Sequence, residues 1–320
     1  MKALWTRMLA FVQQREDASS LALTRIIAGT TLFCHLVNLL WTGTATLVWA
    51  EPTSMGFANR PGFLSHFGGG TPDNVVALTC VCALASLLVA VGLLTRASIL
   101  LAWLSFRALL ELNSEARSGY DSLLVNTLFL LLLSGCGRAL SVDERLFKLP
   151  REVARWPRML VVWQIALLYG GTAMMKASNG WVPGGDADAL WFILHQPMWS
   201  RFTDLPRWTF VLTQAATTLA WLWELAGPLC AVAIVLREAQ PTSRALAWLK
   251  RVLDRARFLE VWLVTGVCVH LGIEITLEVG AFCGASLALY PCAIRPSSWR
   301  ALFTRWRLGR TTALPPAPPA

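Results

Sequence analysis

Long apolar runs separated by short polar segments extend along most of the chain. The eight runs cover residues 20–41, 74–95, 97–112, 120–136, 158–177, 209–236, 258–275 and 277–294. A helix needs about 20 apolar residues to cross the hydrocarbon core of a bilayer, and the shorter runs allow tilted or re-entrant helices. The pattern therefore predicts an all-α, polytopic integral membrane bundle of about eight transmembrane helices.

The last two runs form one continuous stretch from Phe258 to Ile294. A single helix of this length would extend about 55 Å, which is longer than a bilayer is thick. Gly280 and the polar residues that precede it predict a tight hairpin, so that the stretch forms two helices.

Composition supports one membrane domain. Hydrophobic residues make up 55% of the 320 residues, only 15% are charged, and the mean hydropathy is +0.52. This apolar content is higher than a soluble core requires, and no polar stretch is long enough to fold as a separate domain. We predict an N-terminal arm at 1–19, a transmembrane domain at 20–295 and a basic, Pro-rich tail at 296–320.

Lysine and arginine are distributed unequally between the segments that join the runs. The arm, the tail and every second connection carry 21 of these residues when the flanking Arg158 and Arg295 are included, whereas the other connections carry four. Cytoplasmic segments are enriched in Lys and Arg, so both termini are predicted to lie in the cytoplasm of a multi-pass cell-membrane protein. The net charge of +9 follows from these flanks and does not indicate a nucleic-acid partner.

Two segments on the predicted outer side are long, at 42–73 and 178–208, and they are rich in Gly, Pro and Trp. Long loops of this kind often cover a binding site. The eight cysteines lie almost entirely inside apolar runs and lack zinc-site spacing. We interpret them as small buried side chains and predict no metal site.

Most polar residues of the runs fall in the predicted outer half of the bilayer. Such residues are costly in a membrane and are functional candidates, and their common depth predicts a polar cavity that opens to the outer side. They include Arg107, Glu111, Asp121, Asn126, Lys176, Glu224, His270 and Glu274.

Helical spacing groups several of these residues. Arg107 and Glu111 are four residues apart and can pair on one helix face, either at a site or as a self-neutralising pair without a further role. His270 and Glu274 have the same spacing, and His270 is either functional or a hydrogen-bonded residue of the bundle. No metal, phosphate, dinucleotide or nucleophile motif occurs in a suitable context.

Tyr169, Thr172 and Lys176 share one face of the fifth run. Lys176 could extend to the outer interface as a snorkelling side chain. Alternatively, its apolar neighbours Met174 and Met175 would desolvate it and disfavour the ammonium form. A neutral amine can then act as a general base.

Three stretches of the chain carry a family resemblance. The first is 119–124, with 139–143 after the following apolar run. The second is 164–176, followed by Gly180-Trp181 and His195. The third is 224–228, followed by 270–273 and the last apolar run. In this order, over residues 20–295, the chain resembles the horizontally transferred transmembrane (HTTM) domain family, which includes the membrane part of vitamin K-dependent gamma-carboxylase.

The resemblance implies a base at Lys176. In the carboxylase, the matching lysine deprotonates reduced vitamin K, and the oxygenated quinone then removes a glutamate proton so that carbon dioxide can add. By resemblance, the cofactor would be a reduced quinone such as vitamin K hydroquinone, the chemistry would occur on the non-cytoplasmic side, and the partners would be membrane lipid and a secreted peptide or protein substrate.

The leading hypothesis is a membrane enzyme that acts on a quinol or a lipid-like substrate. The catalytic candidates are Lys176 as base, Tyr169 and His270 as groups that orient substrate or stabilise charge, and Glu274 as their supporting partner. The substrate-binding candidates are Arg107, Glu111, Asp121, Asn126, Trp181, His195 and Glu224. The alternative hypothesis is a non-enzymatic membrane protein for transport, immunity or partner binding that uses the same polar cavity.

Overall fold

The computed structural model describes residues 2–202, 204–239, 241 and 243–311, so the end of the predicted Pro-rich tail, 312–320, lies outside the described residues. This part of the chain has fifteen α-helices and two short strands. The helices are α1 (Lys2–Gln13), α2 (Ser19–Trp41), α3 (Thr44–Trp49), α4 (Pro72–Val91), α5 (Thr95–Leu112), α6 (Gly119–Leu133), α7 (Val142–Phe147), α8 (Trp156–Met175), α9 (Ala189–Leu194), α10 (Thr209–Leu225), α11 (Gly227–Glu238), α12 (Arg244–Arg255), α13 (Phe258–Thr276), α14 (Phe282–Leu287) and α15 (Pro296–Thr311). The strands are β1 (Arg15–Asp17) and β2 (Glu152–Ala154).

The predicted all-α membrane class is confirmed. Among the described residues, α2, α4, α8 and α13 are long and apolar enough to cross a membrane, and the bent pair α10 and α11 makes a fifth span if it is counted as one. Helix α5 has 18 residues but includes Arg96, Arg107 and Glu111, and α6 is shorter. The number of eight spans and the orientation of the termini stay predictions.

The run at 209–236 is two helices rather than one. Helices α10 and α11 meet at Ala226 with a bend of 44°. Pro228 causes the break because it lacks the N–H that would bond to the carbonyl of Glu224 in a continuous helix. The bend places the end of α10 at the site described below.

The last run turns but does not form a full second helix. Gly280 adopts a φ of +60°, a conformation that favours glycine, and a Cβ at this position would lie 2.8 Å from the hydroxyl of Tyr120. After the turn, α14 has six residues and is followed by a 3₁₀ turn at Tyr290–Ala293. Pro291 has no N–H to donate, so a regular helix does not continue through this turn.

The N-terminal arm contains secondary structure that the apolar pattern did not reveal. Strand β1 pairs antiparallel with β2, so that Glu16 lies opposite Val153. This small sheet joins the arm to the segment before α8. Two strands of three residues give no readable alternation, which is why the sequence did not predict them.

Helix α2 packs against α4 in the centre of the bundle. A Cβ at Gly29 of α2 would lie 2.7 Å from the backbone nitrogen of Ala90, so only glycine permits this close approach. One turn earlier, the fully buried Arg25 donates hydrogen bonds to the carbonyls of Val89, Ala90 and Leu140 at 2.5–2.8 Å. These contacts join α2 to the C-terminal end of α4 and to the segment before α7, and they supply donors where a helix end leaves carbonyls incompletely bonded.

Candidate functional site

The site lies around the C-terminal half of α8. Tyr169 is buried in this helix, and Lys176 follows its last residue, with its N–H bonded to the carbonyl of Thr172 at 3.0 Å. Seven residues separate the two side chains, which is about two helical turns or 10 Å. Their shared face therefore connects a buried phenol with a lysine at the helix end.

Lys176 forms an ion pair with Glu224, the penultimate residue of α10. The Nζ atom lies 2.6 Å from Oε1 of Glu224, and the two side chains are 31% and 12% exposed. The Nζ atom also lies 4.6 Å from the ring centroid of Trp181. Both the carboxylate and the aromatic face attract a cationic group.

The surroundings of Lys176 differ from the sequence-based expectation of a desolvated amine. Met174 and Met175 are 70% and 90% exposed, so they point away from the protein and do not cover the ammonium group. Residues that adjoin a lysine in sequence need not lie against its side chain. At the end of a helix, Lys176 instead turns towards Glu224.

A second oxygen of Glu224 is available for hydrogen bonding. Its Oε2 atom is buried and has no hydrogen-bond partner among the residues that the structure describes. A buried carboxylate oxygen without a donor costs free energy. Such an atom can accept a hydrogen bond or a proton from a ligand that enters beside Lys176.

A hydrogen-bonded chain of three buried side chains is built on Tyr169. Its hydroxyl lies 2.8 Å from Nε2 of His270 on α13 and 3.2 Å from the hydroxyl of Tyr290 in the final 3₁₀ turn. The Nδ1 atom of His270 has no partner in the described part of the chain. These hydrogen bonds join three segments that are far apart in sequence.

Two tryptophans fix the helices around this chain. The indole nitrogen of Trp223 donates to the carbonyl of Trp262 at 2.9 Å, and that of Trp262 donates to the carbonyl of Trp223 at 3.0 Å. Tyr169 packs edge-on against Trp223, with ring centroids 4.6 Å apart. The reciprocal bonds hold α10 against α13 and so position Glu224 relative to His270.

Glycine at position 266 allows these rings to meet. A Cβ at Gly266 would contact the hydroxyl of Tyr290 and would lie 2.5 Å from Cζ2 of Trp223. We expect Gly266→Ala to lower the free energy of unfolding by about 1–3 kcal/mol through overpacking, measured by denaturation in detergent. Gly272→Ala in the same helix is the matched control, because a Cβ there meets nothing within 4 Å. Equal stability of the two variants would contradict this account of the packing.

Five of the predicted site residues come together here: Lys176, Glu224, Trp181, Tyr169 and His270. Glu274 does not join them directly. It lies near the exposed end of α13, where its Oε1 atom is 3.9 Å from Nη2 of Arg201. His195 follows the last residue of α9, where its Nδ1 is 2.8 Å from the carbonyl of Trp191.

The remaining candidates lie elsewhere on the bundle. Asp121 accepts a hydrogen bond from the N–H of Ser118 at 2.8 Å in a capping box at the start of α6. Asn126 lines a groove between α6 and α8. Arg107 and Glu111 form an exposed pair at 3.3 Å, as their spacing predicted, but this pair is not part of the site around Lys176.

The outward-facing polar cavity stays a prediction. Clefts of about 420 to 760 Å³ in the described part of the chain lie elsewhere on the bundle, and one of them is lined by Asn126. Around Tyr169 and His270 the side chains are packed and hydrogen-bonded. The site thus consists of the buried, hydrogen-bonded side chains of Tyr169, His270 and Tyr290 and the partly exposed ion pair of Lys176 and Glu224.

Sequence reasoning missed Tyr290 and the two tryptophans. The signal for Tyr290 was present, because it is one of three tyrosines in the chain and lies inside an apolar run. A phenol hydroxyl in such a position usually finds a hydrogen-bond partner. Trp223 and Trp262 are two of sixteen tryptophans, and no spacing in the sequence distinguishes them from the others.

Comparison with known proteins addresses the family of the chain. The model of the HTTM domain family matches residues 13–224, a stretch that includes Tyr169, Lys176, Trp181 and Glu224 but ends before His270. No curated protein and no solved structure matches the chain. Since the match extends over more than half of its length, this membrane protein belongs to the HTTM domain family.

Proposed function

We propose that this HTTM-family protein is a gamma-carboxylase-like enzyme of the cell membrane, which acts on a quinol or lipid-like substrate from the non-cytoplasmic side. Lys176 is the base. The observation that carries the proposal is the 2.6 Å contact between Lys176 and Glu224. Lys176 lies on the same face of α8 as Tyr169, which forms the buried hydrogen bonds to His270 and Tyr290. A titratable group that is partly buried against a specific charge partner is a candidate for a functional site.

The ion pair can generate a neutral amine without changing its total charge. Transfer of one proton across the 2.6 Å contact converts the ammonium of Lys176 and the carboxylate of Glu224 into an amine and a carboxylic acid. The amine then accepts the proton of a substrate hydroxyl, and the resulting ammonium stabilises the substrate oxyanion. Glu224 therefore acts as the proton partner of Lys176.

The approach to Lys176 suits a substrate that is dissolved in the membrane. Met174, Met175 and Leu225 are exposed at the C-terminal ends of α8 and α10 and offer an apolar surface to a quinone ring or a lipid chain that approaches along these helices. Trp181 covers the ammonium group from the loop side. Tyr169 and His270 would orient the substrate or stabilise its charge from beneath.

The experiment begins with the purified protein in lipid nanodiscs. Extraction and mass spectrometry should detect a co-purified quinone, and vitamin K hydroquinone should be oxidised with oxygen uptake that depends on the native protein. A secreted peptide substrate would be found by incorporation of labelled carbon dioxide. Hydroquinone oxidation equal to that of heat-denatured protein would refute the enzyme and favour the alternative of a transport, immunity or partner-binding protein.

A further inference from the structure

A charged cleft lies at the opposite end of the bundle from the site around Lys176. It has a volume of about 760 Å³ and is formed by β1, the segment before α8, the end of α11 and the first turn of α15. Seven arginines and four acidic residues line it. The excess of positive charge favours an anionic ligand.

Some of these arginines are neutralised within the protein. Arg158 is 1% exposed and contacts Glu16 at 2.7 Å and Glu238 at 2.5 Å. Arg155 lies 3.2 Å from Glu16 as well. These contacts fix the floor of the cleft and leave little net charge there.

Other arginines of the cleft have no carboxylate partner. Across the ranges that the structure describes, no ion pair is formed by Arg15, Arg295 or Arg300, and all three residues are exposed. They surround the first turn of α15, and this turn contains no acidic residue. Arg295 donates one hydrogen bond from Nη2 to the carbonyl of Arg237 at 3.2 Å, which positions it at the cleft, and its charge has no carboxylate to neutralise it among the described residues. These guanidinium groups can bind a phosphate group by charge-assisted hydrogen bonds.

The cleft also contains an unsatisfied acceptor. The side chain of Glu238 is 6% exposed, and its Oε1 atom has no hydrogen-bond partner in the described part of the molecule. Glu238 lines the wall of the cleft. A ligand that carries a hydroxyl donor next to its phosphate would satisfy this oxygen and the arginines together.

An apolar groove adjoins the charged cleft. It has a volume of about 570 Å³ and is lined by Leu259, Leu263 and Val264 of α13 together with Ile234 of α11. Its lining also includes Asp254 and Glu260, whose charges pair with Arg237 at 2.8 Å. Arg237, Glu238 and Arg295 belong to the walls of both cavities. A ligand can therefore place a polar head in the cleft and an acyl chain in the groove.

We infer that this pair of cavities binds an anionic glycerophospholipid with a hydroxyl-bearing headgroup, of the phosphatidylglycerol type. Its phosphate contacts Arg295 and Arg300, its headgroup hydroxyl donates to Glu238, and one acyl chain occupies the groove along α13. The free arginines require a negative charge, and the adjoining groove distinguishes a lipid from free phosphate. This site is separate from the proposed function at Lys176.

Thermal unfolding of the full chain in detergent tests the lipid site. We expect dioctanoyl phosphatidylglycerol to raise Tm in a concentration-dependent manner, whereas dioctanoyl phosphatidylcholine and inorganic phosphate should have little effect. The double substitution Arg295→Gln and Arg300→Gln should weaken the apparent affinity at least about tenfold, as the loss of two charge-assisted contacts implies. The matched control is Arg96→Gln with Arg145→Gln, which removes the same charge from exposed positions outside this cleft.

Four results would contradict the proposed lipid site. An equal rise of Tm with inorganic phosphate would show a free-anion site, and an equal rise with phosphatidylcholine would show lipid binding without charge recognition. Val264→Trp fills the groove, so unchanged affinity for phosphatidylglycerol in this variant would refute the place of the acyl chain. Equal weakening by the control pair would show that total charge, rather than the cleft, attracts the lipid.

Discussion

Substitution of Lys176 by arginine is expected to reduce hydroquinone oxidation by about 10²–10⁴-fold, the range typical of the loss of a general base. The guanidinium keeps the positive charge beside Glu224 and the stacking on Trp181, so the protein should fold with nearly unchanged Tm. It does not release its proton under physiological conditions. Steady-state turnover of the variant in nanodiscs, together with its thermal unfolding, measures the two effects separately.

Two further variants make this result interpretable. Lys176→Ala removes the base and the charge together, and it should lose activity and also some stability because Glu224 is 12% exposed and loses its counter-ion. Glu111→Gln breaks an exposed ion pair on α5 and should leave turnover unchanged. Turnover of Lys176→Arg close to that of the unaltered protein would show that Lys176 is an ionic anchor and not a base.

The sequence predicted the class of fold because membrane helices are specified locally. Each long apolar run satisfies its own backbone hydrogen bonds as a helix, and no distant contact is needed to recognise it. The ends of the runs were less predictable. Pro228 divides one run into α10 and α11, and Pro291 lies in the turn that follows the short α14, although hydropathy is continuous through both positions.

The sequence could group the site residues that lie on the same helix. Tyr169 and Lys176 follow from spacing on α8, and the membrane depth of His270 and Glu224 placed them at the same level. Their individual contacts could not be predicted, because the partner of Lys176 depends on how α10 crosses α8. Spacing alone also made Glu274 a partner of His270, whereas the structure places Arg201 beside Glu274.

One of the arginines counted for the predicted charge asymmetry also has a structural role, which the count of Lys and Arg did not reveal. Arg158, which the sequence assigns to a basic cytoplasmic flank, is 1% exposed and contacts two carboxylates from distant segments. One comes from β1 and the other from the end of α11. Positive residues that orient a membrane protein can therefore also join its segments.

Loss of Arg158 is expected to have the largest effect on stability. Its side chain donates to Glu16 at 2.7 and 3.0 Å, to Glu238 at 2.5 Å and to the carbonyl of Cys292 at 3.1 Å. In Arg158→Met, the two carboxylates stay in place at 8% and 6% exposure, and Arg155 is the ion-pair partner that is left to them among the described residues. Removal of one partner from a buried ion pair costs about 3–5 kcal/mol, which denaturation in phospholipid-free detergent will measure.

The cause of this loss can be separated from the loss of packing. If uncompensated charge destabilises Arg158→Met, then the addition of Glu16→Gln and Glu238→Gln should recover part of the free energy of unfolding, because the amides carry no charge to bury. Arg145→Met is the matched control at an exposed position and should change stability by less than about 0.5 kcal/mol. If the triple variant is less stable than Arg158→Met, the carboxylates stabilise the fold through contacts other than the one with Arg158, and the buried charge is not the cause.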